Sequence, residues 1–359
     1  MIKKAIFGMV FALLVLTGIE FSLRWSLGPM PPSIQIHSSV GKLKDWLVEY
    51  SGHVRPIYKL NAATFPVQMT QERIAFLGGS SVHGGSPDVL LQGEFPALTG
   101  SKIGIQSINL ARPSIDSHDI LRILDELQEY SFTAWVVYTG HNDFGNTYFF
   151  QRYKGWGGVT EAGIKGFLSR FHLYQVLRKG AAPVANGVQR SLGWENFHGE
   201  GVGEAQKNRS LTYLLSNIKR MVWIARKNDT PIYFIIPAAA LHKKPIGNCI
   251  PQERQCSHKD FQRAEQLQNK DPARARDLFY DAWTSDSVPL RITPQAQVLI
   301  GDLLTELDVP HLFLQHVLPQ TKGLNIPEAD LFHDHVHFTA KGHKIISELL
   351  APELKQLVE

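Results

Sequence analysis

The sequence predicts an α/β domain of three layers, in which helices cover both faces of a parallel sheet of about five strands. Three observations predict it. Short apolar runs of strand length recur at residues 73–77, 103–110, 134–139, 231–237 and 310–314. Longer stretches with apolar residues at helical spacing separate most of them. Glycines or prolines close several of the runs, as they do where a buried strand ends in a tight loop.

The chain has 359 residues, enough to bury a large core as one domain with insertions. Its 37 lysines and arginines against 33 acids leave a net charge of +4, too small and too dispersed to suggest a nucleic-acid partner. Residues 1–28 form the first segment. Lys3 and Lys4 precede an uncharged run over 5–19, which orients the segment with its N-terminus in the cytoplasm. Glu20 and Arg24 are spaced to pair along a helix that continues to Trp25. We expect an uncleaved membrane anchor holding the rest of the chain outside the cytoplasm. A cleaved signal, which would make the protein secreted, is the alternative.

Residues 29–72 carry Pro29, Pro31, Pro32, Pro56 and Pro66 with little periodicity and read as a stalk and lead-in. The main domain spans 73–359, with insertions at about 144–209 and 241–290. Strand 73–77 runs into Gly78-Gly79-Ser80, with Gly84 closing the turn. Strand 103–110 follows, then a helix over 120–130 carrying Ile120, Leu121, Ile123, Leu124 and Leu127. Strand 134–139 breaks at Gly140-His141-Asn142-Asp143. Beyond Phe144 the pattern weakens into a cap, with a short helix at 167–178. Phe149, Phe150 and Trp156 there either roof a pocket or pack in the core. A strong amphipathic helix over 211–227 leads to strand 231–237. Cys249 and Cys256 then bracket a polar loop, and an oxidising compartment favours a local disulfide over two free thiols. A helix over 259–283 breaks near Asp271-Pro272; helix 295–307, strand 310–314 and helix 342–357 close the chain.

The chemistry concentrates at two places far apart in the chain. Ser80 stands at the carboxyl end of a strand, where open α/β sheets bind ligands. Asp334 and His337 stand three apart on a turn before the last helix, so the carboxylate can hold Nδ1–H and leave Nε2 to take a proton from a serine hydroxyl. His333, Asp334, His335 and His337 could instead hold a metal, in a metal-dependent phosphoesterase, but no partner acids stand at ligand spacing elsewhere. His141 either lines the site or satisfies its loop backbone. Arg291 meets a substrate anion or, the favoured reading, forms a structural ion pair. Asp143 is expected to brace its loop, and His83 and His343 to be surface or capping residues.

Taken in order, Gly78-Gly79-Ser80, Asn109-Leu110-Ala111, Gly140-His141-Asn142-Asp143 and Asp334-His335-Val336-His337 resemble the sequence blocks of the SGNH (GDSL-type) hydrolase superfamily, from residue 73 to the C-terminus. The anchor and the Leu290-Arg291 segment resemble a membrane-anchored bacterial branch. The resemblance implies a flavodoxin-like fold, Ser80 as nucleophile, His337 as general base and Asp334 as its orienter. It implies an oxyanion hole from the N–H groups of Ser80 and Ala111 and the amide of Asn142. Gly79 replaces the family's Asp, and Ala111 its oxyanion glycine. The implied activity is a serine esterase needing no cofactor and no metal, acting on a short acyl ester such as O-acetyl on a carbohydrate or envelope glycan. An O-acyltransferase using the same triad and a non-catalytic glycan-binding module are the alternatives, and protein partners are not legible.

Overall fold

The computed structural model describes residues 2–27, 34–38, 46–50, 53–57, 72–84, 94–128, 130–149, 173, 201–247 and 256–359. The chain divides into two compact units, Met1–Pro32 with Tyr153–Glu200, and Ser33–Arg152 with Gly201–Glu359.

In the first unit, α1 (Ile2–Leu27) is a helix of 26 residues. Arg24 Nε donates to Glu20 Oε1 at 2.9 Å, the expected pairing, and Glu20 Oε2 accepts the Leu173 N–H at 2.9 Å. Among the described residues no helix is long and apolar enough to cross a membrane. The expected helix at 167–178 lies, except for Leu173, outside the described residues, as do Phe150 and Trp156.

The second unit opens with β1 (Ile34–Ser38), β2 (Trp46–Tyr50) and β3 (His53–Ile57), an antiparallel sheet where the sequence suggested a stalk. Its main sheet comprises β4 (Arg73–Gly78), β5 (Gln106–Asn109), β6 (Ala134–Tyr138), β7 (Ile232–Ile236) and β8 (His311–Phe313). The strands lie in the order β5-β4-β6-β7-β8 and every neighbouring pair is parallel. This is the predicted five-stranded sheet.

Side chains alternate across it, because successive residues of a strand point to opposite faces. Ala75, Leu77, Trp135, Val137, Phe234 and Ile236 join one apolar cluster, and Ile74, Phe76, Val136, Tyr138, Tyr233 and Ile235 the other. Both faces are covered by helices, which is why the strands read as continuous apolar runs rather than alternating ones. The helices are α2 (Ser80–His83), α3 (Phe95–Ile103), α4 (Ser117–Leu127), α5 (His141–Phe149), α6 (Glu204–Lys227), α7 (Ser257–Leu267), α8 (Pro272–Thr284), α9 (Pro294–Glu306), α10 (Leu314–Val317) and α11 (Ala340–Val358). The helix expected over 259–283 is the pair α7 and α8, and Asp271 makes the break: its side chain accepts the Arg274 N–H while Pro272 starts the next helix.

Several boundaries differ from expectation. Residue 103 ends a helix rather than beginning a strand, because Gly104 takes φ +72 and turns the chain before β5. Residues 144–149 continue α5 rather than opening a cap. Helix α6 starts at Glu204, seven residues before the amphipathic run.

Candidate active site

The site forms at the carboxyl edge of the sheet. Strand β4 delivers Gly79 and Ser80, β5 delivers Asn109 and Ala111, and β6 delivers Gly140, His141 and Asn142. Ser80 is the first residue of α2, so its hydroxyl stands where strand gives way to helix. The turn before α11 brings Asp334 and His337 to the same edge; Thr339 caps that helix by accepting the Gly342 N–H.

Two contacts define the geometry. His337 Nε2 lies 2.7 Å from Ser80 Oγ, and His337 Nδ1 lies 2.6 Å from Asp334 Oδ2. Asp334 Oδ1 accepts the N–H groups of Val336 and His337, each at 2.9 Å. Partial burial pushes the Asp334 pKa up, but hydrogen bonds from the His337 ring and these two N–H groups outweigh it and hold the group below the usual carboxylate range. An ionised Asp334 keeps the proton on Nδ1, which leaves the Nε2 lone pair facing the serine hydroxyl. The sequence-predicted Ser80, Asp334 and His337 therefore come together, from positions 257 residues apart in the case of the Ser80–His337 contact.

Asn142 Nδ2 donates to the Ile115 carbonyl at 2.7 Å, which fixes the amide beside Ser80. A Cβ on Gly79 would lie 2.4 Å from that same Nδ2, so the amide occupies the space that any side chain at 79 would need. The resemblance implied an oxyanion-donor role for Ala111. Its N–H donates to Asn109 Oδ1 at 3.0 Å, because an Asn side chain readily reaches back to a backbone N–H two residues on. Asn109 Nδ2 in turn donates to the Val82 carbonyl and to Glu94. Asn109 thus ties the end of α2 to the start of α3.

A small open cavity lies beside Ser80, lined by Gly79, Ile115, Thr139, Gly140 and Asn142 and also by Ser81, Tyr138, His141 and Val336. His141 both lines it and serves the backbone, since its Nδ1 accepts the Ile292 N–H at 3.1 Å. Burial, reinforced by His337 and Arg291, lowers the His141 pKa to about 3, so the ring is neutral. Arg291 is spent on structure: Nη2 meets Asp286 at 3.2 Å, both side chains are buried, and Nη1 donates to the Ala240 carbonyl. Asp143 braces its surroundings as expected, accepting from Ser117 N, Ser117 Oγ and Thr139 Oγ1. Burial and the neighbouring Asp116 raise its pKa. His343 is buried and caps α3 through Nδ1, which accepts the Phe95 N–H.

The histidine cluster is a hydrogen-bonded turn. His335 Nε2 meets the Lys244 carbonyl at 2.8 Å, and both His337 nitrogens are engaged as described. Among the described residues no group of His, Cys, Asp and Glu is placed to hold a metal ion. Cys256 is disulfide-bonded, and the chain's other cysteine, Cys249, lies outside the described residues.

Sequence reasoning missed Ser81, Tyr138, Ile115 and Val336. The available signals were a second serine directly after Ser80 and a tyrosine hydroxyl at the end of an otherwise apolar strand, which needs a partner when buried.

No family model and no curated protein matches the sequence. Among solved structures, the chain is similar to a protein of the G-D-S-L family from Desulfitobacterium hafniense, at 12% identity and TM-score 0.42, over 78% of this chain and 98% of that one. It is similar to a GDSL-like lipase from Bacteroides thetaiotaomicron, at 12% identity and TM-score 0.42, over 79% and 88%. A third is a catalytic mutant of an acetylxylan esterase from Geobacillus stearothermophilus, at 11% identity and TM-score 0.39, over 80% and 94%. In its four sequence blocks and in the architecture of its parallel sheet, the chain resembles the SGNH (GDSL-type) hydrolase superfamily.

Proposed function

We propose that the protein is a serine esterase that cleaves a short acyl ester through an acyl-enzyme on Ser80. The observation that carries this is the Ser80–His337–Asp334 chain of contacts at 2.7 and 2.6 Å. Ser80 Oγ attacks the ester carbonyl carbon as its proton passes to His337 Nε2. The tetrahedral oxyanion takes hydrogen bonds from the Ser80 N–H and the Asn142 amide; one such donor typically contributes about 3–4 kcal/mol. His337 then protonates the alcohol oxygen as the C–O bond breaks. A water, giving its proton to the same Nε2, attacks the acyl-enzyme, and collapse of the second intermediate returns the proton to Ser80. Asp334 stays ionised throughout and steadies the imidazolium.

The small cavity beside Ser80 favours a short acyl group such as acetyl. A carbohydrate or envelope glycan as the alcohol, and a location outside the cytoplasm, belong to the same proposal. The location is supported by Lys3 and Lys4 ahead of the apolar run and by the disulfide at Cys256.

A fluorophosphonate probe tests the reading. Wild-type protein takes the label and Ser80→Ala does not; hydrolysis of p-nitrophenyl acetate follows the label and survives EDTA. Wild-type protein that neither labels nor hydrolyses the ester sinks the proposal. Acetate release compared with and without an acceptor sugar then separates hydrolysis from acyl transfer.

A further inference from the structure

A second hydrogen bond runs alongside the Ser80–His337 contact, one residue away on each side. Ser81 is buried, and its Oγ donates to the Val336 carbonyl at 2.9 Å. Ser81 follows the nucleophile and Val336 precedes the base, so this bond joins the same two elements that must meet for reaction. The turn is tied together, since Asp334 Oδ1 accepts the N–H groups of both Val336 and His337.

The protons behind Ser81 have a fixed sense. The Ile292 N–H donates to His141 Nδ1, so in the neutral ring the proton sits on Nε2. That nitrogen faces the Tyr138 hydroxyl at 3.1 Å. A protonated Nε2 cannot accept, so it donates and the Tyr138 hydroxyl keeps its own proton. Burial raises the Tyr138 pKa and keeps that proton in place. Ser81 Oγ directs its own hydrogen to the Val336 carbonyl.

We propose that Ser81 is a positioning residue for the reaction at Ser80, and that its hydrogen bond to the Val336 carbonyl seats the His337 turn against the nucleophile. This rests on the serine-esterase reading above. A displacement of about 1 Å between base and nucleophile can cost on the order of a hundredfold in rate.

The test uses the full chain carrying Ser81→Ala or Ser81→Cys. Ser81→Ala slows fluorophosphonate labelling of Ser80 about tenfold or more and lowers kcat on p-nitrophenyl acetate alike, with KM within about twofold of wild type. Ser81→Cys, whose thiol is a weaker donor, slows labelling in the same direction by less. In the crystal structure of Ser81→Ala, Ser80 Oγ and His337 Nε2 stand beyond hydrogen-bond reach. Wild-type labelling rates in Ser81→Ala overturn the proposal. Should Ser81→Ala fail to fold, Ser81→Cys decides alone: wild-type rates there overturn it. If the wild-type protein takes no label, the esterase reading fails. The crystallographic separation in the variants still decides whether Ser81 holds the two elements together.

Discussion

At residue 79 the chain gives up a side chain so that another can be placed. The Asn142 amide is pinned by the Ile115 carbonyl at 2.7 Å and lies where a Cβ of residue 79 would be. Gly79→Ala therefore forces the amide away from the oxyanion position. Loss of one such donor lowers acylation by roughly 10²–10³-fold, and the expected outcome is that slowing in fluorophosphonate labelling with little change in melting temperature. Labelling at the wild-type rate would show that the amide is no oxyanion donor. Asp334→Asn acts on the other side of the same step. An amide still meets Nδ1 but no longer enforces the tautomer, so kcat drops by about 10³–10⁴-fold, measured on p-nitrophenyl acetate against Ser80→Ala as the floor.

Among the elements, helix α3 shows why part of the architecture is hidden in the sequence. Its residues Phe95–Ile103 include Pro96, Gly100 and Lys102, and its apolar spacing is weak. Gly100 nonetheless has a structural reason: a Cβ there would lie 2.7 Å from the Ile105 carbonyl oxygen and 2.8 Å from Ser107. The helix must lie that close to the start of β5, and only glycine permits it. Gly100→Ala is expected to overpack this contact and cost about 1–3 kcal/mol, read as a lowered urea midpoint with an unchanged slope. No gain from the better helix former would be left to see. Strands β4, β6 and β7 were legible for the opposite reason, since burial on both faces leaves an unbroken apolar run. Ser80, Asp334 and His337 were legible because each carries its own local spacing signal. Ser81 and Tyr138 were not, because what they do depends on Val336 and His141 meeting them in space, and no local pattern records that.

At the scale of the whole molecule, His141 joins β6 to the segment before α9 and faces the site from within the core, so its proton equilibrium is a property of the fold. The charged and titratable groups facing it are Tyr138, His337, Arg291 and Asp334, and burial is the largest influence, lowering its pKa to about 3. In the unfolded chain a histidine titrates near 6.5. Between those values the unfolded chain binds a proton that the folded one refuses, so this residue costs stability progressively as pH falls below about 6.5, at about 1.4 kcal/mol per pH unit. Asp334, held below the carboxylate range, loses its stabilising effect only at lower pH still, below about 4. Asp143 works in the opposite sense. Its raised pKa means stability is given up as pH climbs above about 4, which partly masks the histidine in the wild-type protein. The two are separated by replacing one of them. Urea unfolding of His141→Gln and wild type at pH 7 and pH 5 should show the gap between them moving by about 2 kcal/mol in favour of the variant at pH 5. A gap that stays constant would mean that the imidazole titrates in the fold as it does in the unfolded chain, and that its burial does not hold it neutral.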